Sequence, residues 1–284
     1  MSTIDVSHVY YSYDPDRPED YTIEDVTFTI TQGEFVGLIG QTGSGKSTLI
    51  QHLNGLLKAT KGDIRYGDRS IYEPKYNMRE LRFEVGLVFQ YPEHQLFESS
   101  ILADVCYGPK NQGCSEEEAK ARAIEALTMM NIGEEMYEKS PFDLSGGQKR
   151  RVAIAGVLAM RPKVLILDEP AAGLDPEGRE EFLGEIRQLH ERTGLTVILV
   201  SHSMEDVARY VDRLLVMNRG KLLLDGTPKD VFSQTKFMNE IGLFVPQVTF
   251  LMQELAARGM KVGDETVISV DEAVDRIAEA LHDS

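Results

Sequence analysis

The sequence predicts an α/β fold: a largely parallel sheet flanked by helices, with a phosphate-binding loop at one edge. Three observations carry this. Short apolar runs, FVGLIG (35–40), VLIL (164–167), TVILV (196–200) and RLLVM (213–217), alternate with helical segments, the pattern of strands buried on both faces. Gly40-Gln41-Thr42-Gly43-Ser44-Gly45-Lys46-Ser47 fits G-x-x-x-x-G-K-[ST] directly after the first of these runs. The run VLILDEP ends on two adjacent carboxylates, Asp168 and Glu169.

Along the chain, IDVSHVYYSY and TIEDVTFTI alternate as strands around the polar loop DPDRPED. After the phosphate loop, STLIQHLNGLL has apolar residues at helical spacing. Ser115, with Glu118 three residues later, predicts a capping box opening a helix through Ile124, Leu127 and Met130. From about Gly242 the character shifts: residues 251–284 hold eight acidic and three basic side chains, in helical LMQELAARG and DEAVDRIAEAL. The expected division is a nucleotide-binding domain over 1–235, with a helical subdomain near 90–160, and a small acidic appendix over 236–284.

Composition narrows the function. A formal charge of −16 argues against non-specific binding to nucleic acid or to an anionic lipid surface. The longest apolar run, near Val152–Met160, is far short of the roughly 20 residues that span a bilayer. The start MSTIDVSHVY has no basic region ahead of an apolar core, so no secretory signal is expected. Cys106 and Cys114 offer neither a metal spacing nor a disulfide framework. The expectation is an intracellular protein that reaches a membrane only through other proteins.

The glycines of the loop let backbone N–H groups face phosphates, and the dipole of the following helix favours them. Lys46 would reach the outer phosphates and the Ser47 hydroxyl would ligate Mg²⁺. Asp168, at the carboxyl end of its strand, would hold the same ion, and Glu169 beside it could polarise an attacking water.

Leu144-Ser145-Gly146-Gly147-Gln148 then stands twenty-odd residues before Asp168, with Ser145 a natural helix cap. LSGGQ in this company resembles the signature of ATP-binding cassette (ABC) ATPases, over roughly residues 3–232. The resemblance implies a RecA-like core, an antiparallel β subdomain and a helical signature subdomain. It implies ATP and Mg²⁺ as ligands: Tyr13 stacking on adenine, Gly40 to Ser47 and Thr48 holding the phosphates, Ser47, Gln90 and Asp168 at the metal. It further assigns catalysis to Glu169, Gln90 and His202, and gives Ser145, Gly146, Gly147 and Gln148 to the nucleotide of a second subunit.

A narrower resemblance lies in FQYPEHQLFE (89–98). Pro92-Glu93-His94-Gln95 looks like the short extra helix of ATPases from energy-coupling factor (ECF) importers. YPEHQLF and DEPAAGLDP resemble the second ATPase of the usual pair, although Ala171 stands where Thr is commoner. This implies a sister ATPase in a heterodimer, a transmembrane T subunit and a separate substrate-binding S subunit, with the chain peripheral on the cytoplasmic face of the membrane. Glu93 would meet an arginine of the T subunit, and the tail from Gly242 would contribute to dimer contacts. The alternatives are a homodimeric ATPase of a dedicated metal-ion importer and, more remotely, a soluble ABC ATPase outside transport.

Overall fold

The computed structural model describes residues 2–17, 19–263 and 266–282. Two strands open the chain, β1 (Ser2–Tyr11) and β2 (Ile23–Thr31), the second burying Ile23, Val26, Phe28 and Ile30 while its other residues face outward. β3 (Phe35–Gly40) is wholly buried and runs through the phosphate loop into α1 (Lys46–Leu53). β4 (Lys61–Tyr66) and β5 (Arg69–Ser70) complete a four-stranded antiparallel sheet in the order β2-β1-β4-β5.

After α2 (Met78–Glu84) and β6 (Val85–Val88), a single 3-10 turn covers Pro92–Gln95. Three helices follow: α3 (Ile101–Gln112), α4 (Glu116–Met129) and α5 (Gly146–Leu158). Serine caps start each, Ser100, Ser115 and Ser145 accepting from the N–H of Ala103, Glu118 and Gln148. At Ser115 only that half of the expected capping box forms. The Glu118 carboxylate turns instead to Arg122, one turn along α4, because a full charge is a stronger partner than a backbone N–H.

The second sheet has six strands in the order β10-β9-β3-β8-β7-β6. Its remaining members are β7 (Val164–Asp168), β8 (Thr196–Val200), β9 (Arg213–Asn218) and β10 (Lys221–Gly226). Only β10 runs antiparallel to its neighbour. Helices α6 (Pro176–Thr193) and α7 (Met204–Tyr210) are the crossovers, and α8 (Pro228–Ser233) follows the last strand. Successive side chains divide between the two faces. Phe35, Ile39, Leu165, Leu167, Val197 and Leu199 join one core with the helices, while Val36, Leu38, Val164, Ile166, Ile198 and Val200 join another with the antiparallel sheet and α1. At about 1.5–3 kcal/mol for each such side chain buried, these two layers dominate the stability of the domain.

The chain ends in α9 (Thr235–Glu240), α10 (Gln247–Ala257) and α11 (Val270–His282). Met238, Leu243 and Val245 still pack into the main core, whereas Met252, Val262, Val267, Ala273 and Ala280 form a small core of their own. Among the described residues no helix is long and apolar enough to cross a membrane.

Candidate active site

Parallel registration sets the carboxyl ends of β3, β7 and β8 side by side: Leu38 and Asp168 both pair with Val200. The loops leaving those ends therefore meet at one edge of the sheet. Gly40 is there because nothing larger fits: an added Cβ would lie 2.3 Å from the Met217 carbonyl oxygen and 2.5 Å from Ser44 Oγ. Gly45, at φ 102°, caps α1 without a side chain, so the first N–H groups of that helix stay open to an anion.

Lys46 crosses beneath the loop. Its buried ammonium donates to the carbonyl oxygens of Gly40 (2.8 Å) and Gln41 (3.1 Å). Burial lowers its pKa, and the carboxylates of Glu169 and Asp168 partly restore it. Ser44 Oγ is buried with no hydrogen-bond partner, an unspent group behind the loop.

Asp168 ends β7 and is buried. Burial raises its pKa, while the Ser47 hydroxyl, hydrogen-bonded to it, and the Lys46 charge pull the other way. Glu169 follows in left-handed backbone, φ 51°, a conformation that costs a non-glycine residue about 1 kcal/mol and turns the chain sharply at the strand end. Burial pushes its carboxyl up to about 7, against the pull of Lys46 and with the help of Asp168. Burial and then the Lys46 charge lower the His202 imidazole, so it is neutral at pH 7.

A cavity of about 270 Å³ joins these groups: Thr42, Gly43, Gly45, Lys46, Ser47 and Thr48 of the loop face Gln90, Asp168, Glu169 and His202 across it. Thr22, from the turn before β2, also lines it, and no feature of the sequence marked it. Tyr13 stands at the rim, more than half exposed, its hydroxyl 3.1 Å from Thr48 Oγ1. Tyr11 meets the Tyr13 ring edge-on at 4.8 Å and rests in turn on the buried His52. Gly40, Gln41 and Thr42 line a second, larger cavity of about 1250 Å³, whose far wall is the segment from Thr235 to Phe250. There the Gln41 side-chain amide donates to the Gly242 carbonyl oxygen at 2.9 Å.

The signature is elsewhere. Ser145 and Gln148 exchange both hydrogen bonds of a full capping box at the start of α5, and Ser145 to Gln148 do not line the cleft. Glu93 is not a free surface carboxylate either. It is mostly buried and spans Arg150 of α5, Oε1 to Nη2 at 3.1 Å, so its charge already has an arginine within the chain, where the sequence led to one from another subunit. The resemblance gave Glu93 an arginine on another subunit, and the fold brings one 57 residues on in the same chain to its charge.

The ion fits the residues. The Ser47 hydroxyl, the Asp168 carboxylate and the Gln90 amide are hard oxygen donors lining one cavity, the ligand type Mg²⁺ prefers. Among the described residues no cluster of three or more His, Cys, Asp and Glu could hold a metal unaided, so phosphate oxygens would have to complete the shell.

A phosphate loop on a mixed sheet, a carboxylate pair after β7 and a separate capped signature define an ATP-binding cassette. The pattern of the ABC transporter family matches residues 23–172, and the chain belongs to that family. It is 51% identical to the energy-coupling factor transporter ATP-binding protein EcfA2 of Caldanaerobacter subterraneus subsp. tengcongensis, over 98% of this chain and 97% of that one. The chain thus belongs, within the ABC family, with the EcfA2 ATPases of energy-coupling factor transporters. Among solved structures it resembles cbiO1 of Clostridium perfringens, part of the ABC transporter complex cbiONQ, with 38% identity, a TM-score of 0.76 and coverage of 89% of this chain and 99% of that one. It also resembles the ATP-binding cassette MJ0796, solved as a dimer in a post-hydrolysis state with ADP and Pi, with 28% identity, a TM-score of 0.68 and coverage of 79% and 98%.

Proposed function

We propose that this ATPase powers an energy-coupling factor importer of vitamins or metal ions as one half of a heterodimer with a sister ATPase, hydrolysing ATP with Mg²⁺. The observation that carries the dimer is at Gly146 and Gly147: a Cβ at either would meet nothing within 4 Å. This chain's own packing makes no demand for glycine there. That leaves the backbone at the start of α5 open to the close approach of a phosphate from outside. The dimeric state of the MJ0796 cassette supports the same reading.

In each site the residues divide the work. The phosphate loop and α1 bind the phosphates, Lys46 exchanges its two carbonyl partners for phosphate oxygens, and Tyr13 offers a face to the base. Ser47, Asp168 and Gln90 would hold Mg²⁺, which supplies charge neutralisation at the phosphates when bound. Glu169 is the base that takes a proton from water, and neutral His202 donates toward the terminal phosphate. Ser145 to Gln148 complete the site of the sister chain. Closure on ATP and reopening would move the transmembrane T subunit, and a distinct S subunit would choose the cargo. The chain would sit on the cytoplasmic face of the membrane, held by these partners, with residues 1–235 as the motor and 236–284 as a dimer contact. The second reading is a homodimeric ATPase of a dedicated metal-ion importer.

The test is to mix the purified chain with its sister ATPase. Turnover well above the sum of the two alone is expected; a rate equal to the sum would overturn the shared-site reading.

A further inference from the structure

Arg150 is 3% exposed, though arginine is among the residues least often buried. It lies on the first turns of α5, directly behind the signature, and its guanidinium has three engagements. Nη2 and Nε reach the two carboxylate oxygens of Glu93, at 3.1 and 3.4 Å, in the 3-10 turn that follows Gln90. Nη2 also donates to the Ala172 carbonyl oxygen at 3.0 Å. Ala172 is itself tied to the catalytic turn, its N–H donating to the Glu169 carbonyl oxygen at 3.1 Å. Nη1 is buried without a partner.

One side chain thus joins three segments with separate duties: the signature helix, the arm carrying Gln90 and the turn carrying Glu169. A planar guanidinium bound on two edges transmits position as well as charge, which an ammonium cannot.

We infer that Arg150 is a positioning residue for hydrolysis, locking the signature offered to the partner's nucleotide to the Gln90 and Glu169 arms that act on this chain's own. The inference rests on the roles proposed above for those residues. It also gives Glu93 its task, which is internal. Because Arg150 does not touch the 270 Å³ cavity, its loss should spare nucleotide binding and slow the step that needs all three segments aligned.

The experiment uses the chain assembled with its sister ATPase and measures kcat, KM, affinity for a fluorescent ATP analogue and melting temperature. The variants are Arg150→Lys, Glu93→Gln, the two combined, and Glu169→Gln as the control on the underlying reading. Expected for Arg150→Lys and Glu93→Gln is at least a tenfold fall in kcat, with analogue affinity within about twofold and melting within a few degrees. The combined variant should be little worse than either alone, since both cut the same link. A kcat within twofold of wild type in folded Arg150→Lys or Glu93→Gln overturns the inference. So does a parallel loss of affinity and melting temperature, which would make the pair merely structural. If Arg150→Lys does not fold, Glu93→Gln alone decides by the same criteria. Normal turnover in Glu169→Gln would instead sink the proposed catalytic roles, a failure distinguishable from that of Arg150.

Discussion

Glu169 Oε1 stands 3.0 Å from His202 Nε2, yet off the line of the ring N–H, so this buried carboxylate oxygen has no hydrogen bond. A buried, unsatisfied acceptor beside a neutral imidazole is poised to take a hydrogen bond from something else, and a water between them and a phosphate would supply it. The same burial holds the carboxyl at about 7.

A base must be ionised to work, so kcat/KM for ATP should rise with pH through about 7 and level off above it. Below that pH the fall should approach ~tenfold per unit, as expected for one essential proton. A profile of the assembled ATPase that stays flat from pH 5.5 to 8.5 would remove Glu169 from this role.

The same shift bears on stability. Because the folded pKa is raised, stability from this group is fully present below the usual carboxylate range and is lost as pH climbs to about 7. Glu169→Gln, which never ionises, should therefore stabilise the chain by about 3 kcal/mol at pH 8, with the gain fading toward pH 5. Thermal melts of both proteins at the two pH values check the sign. An equal gain at both would assign it to packing.

At Tyr13 two substitutions separate ring from hydroxyl. Tyr13→Phe loses only the bond to Thr48 and should keep ATP affinity within about threefold. Tyr13→Ala should lose about five- to 150-fold, since stacking a base on an aromatic ring is worth roughly 1–3 kcal/mol. Equal affinities for ATP in all three proteins would remove Tyr13 from the nucleotide site.

Gly242 sits at φ 70°, and a Cβ there would lie 2.0 Å from Gln41 Nε2. Gly242→Ala should cost about 1–2 kcal/mol of stability and weaken ATP binding through the displaced loop. Gln41→Ala in the same chain should recover part of both losses. No recovery would mean that backbone strain at 242 is the whole effect.

The residues show why some of this was legible and some was not. The phosphate loop and the end of β7 could be read because their geometry is local: Gly40 and Gly45 meet constraints set by the turn itself, and Asp168 ends the strand that positions it. Ser145 was legible for the same reason, its capping partner lying three residues away. Glu93 and Glu118 misled because a carboxylate takes the strongest cation in reach, and Arg150 reaches Glu93 only once the fold brings it there. Thr22 and Gly242 are equally non-local. Their neighbours in the site lie some 20 and 201 positions away, and no pattern along the chain records that.

The strand order also sets a timetable. β3 and the phosphate loop belong to the first fifth of the chain, but β3 is flanked only by β8 and β9, which begin at Thr196 and Arg213. A ribosome adding roughly 5–20 residues per second therefore needs on the order of 10–30 s after β3 before either neighbour exists. Through that interval an apolar strand with two unpaired edges waits beside the antiparallel sheet, whose own strands are complete by Ser70. The nucleotide site is thus among the last parts of the molecule to come into being, and chaperone demand during synthesis should peak while it is missing.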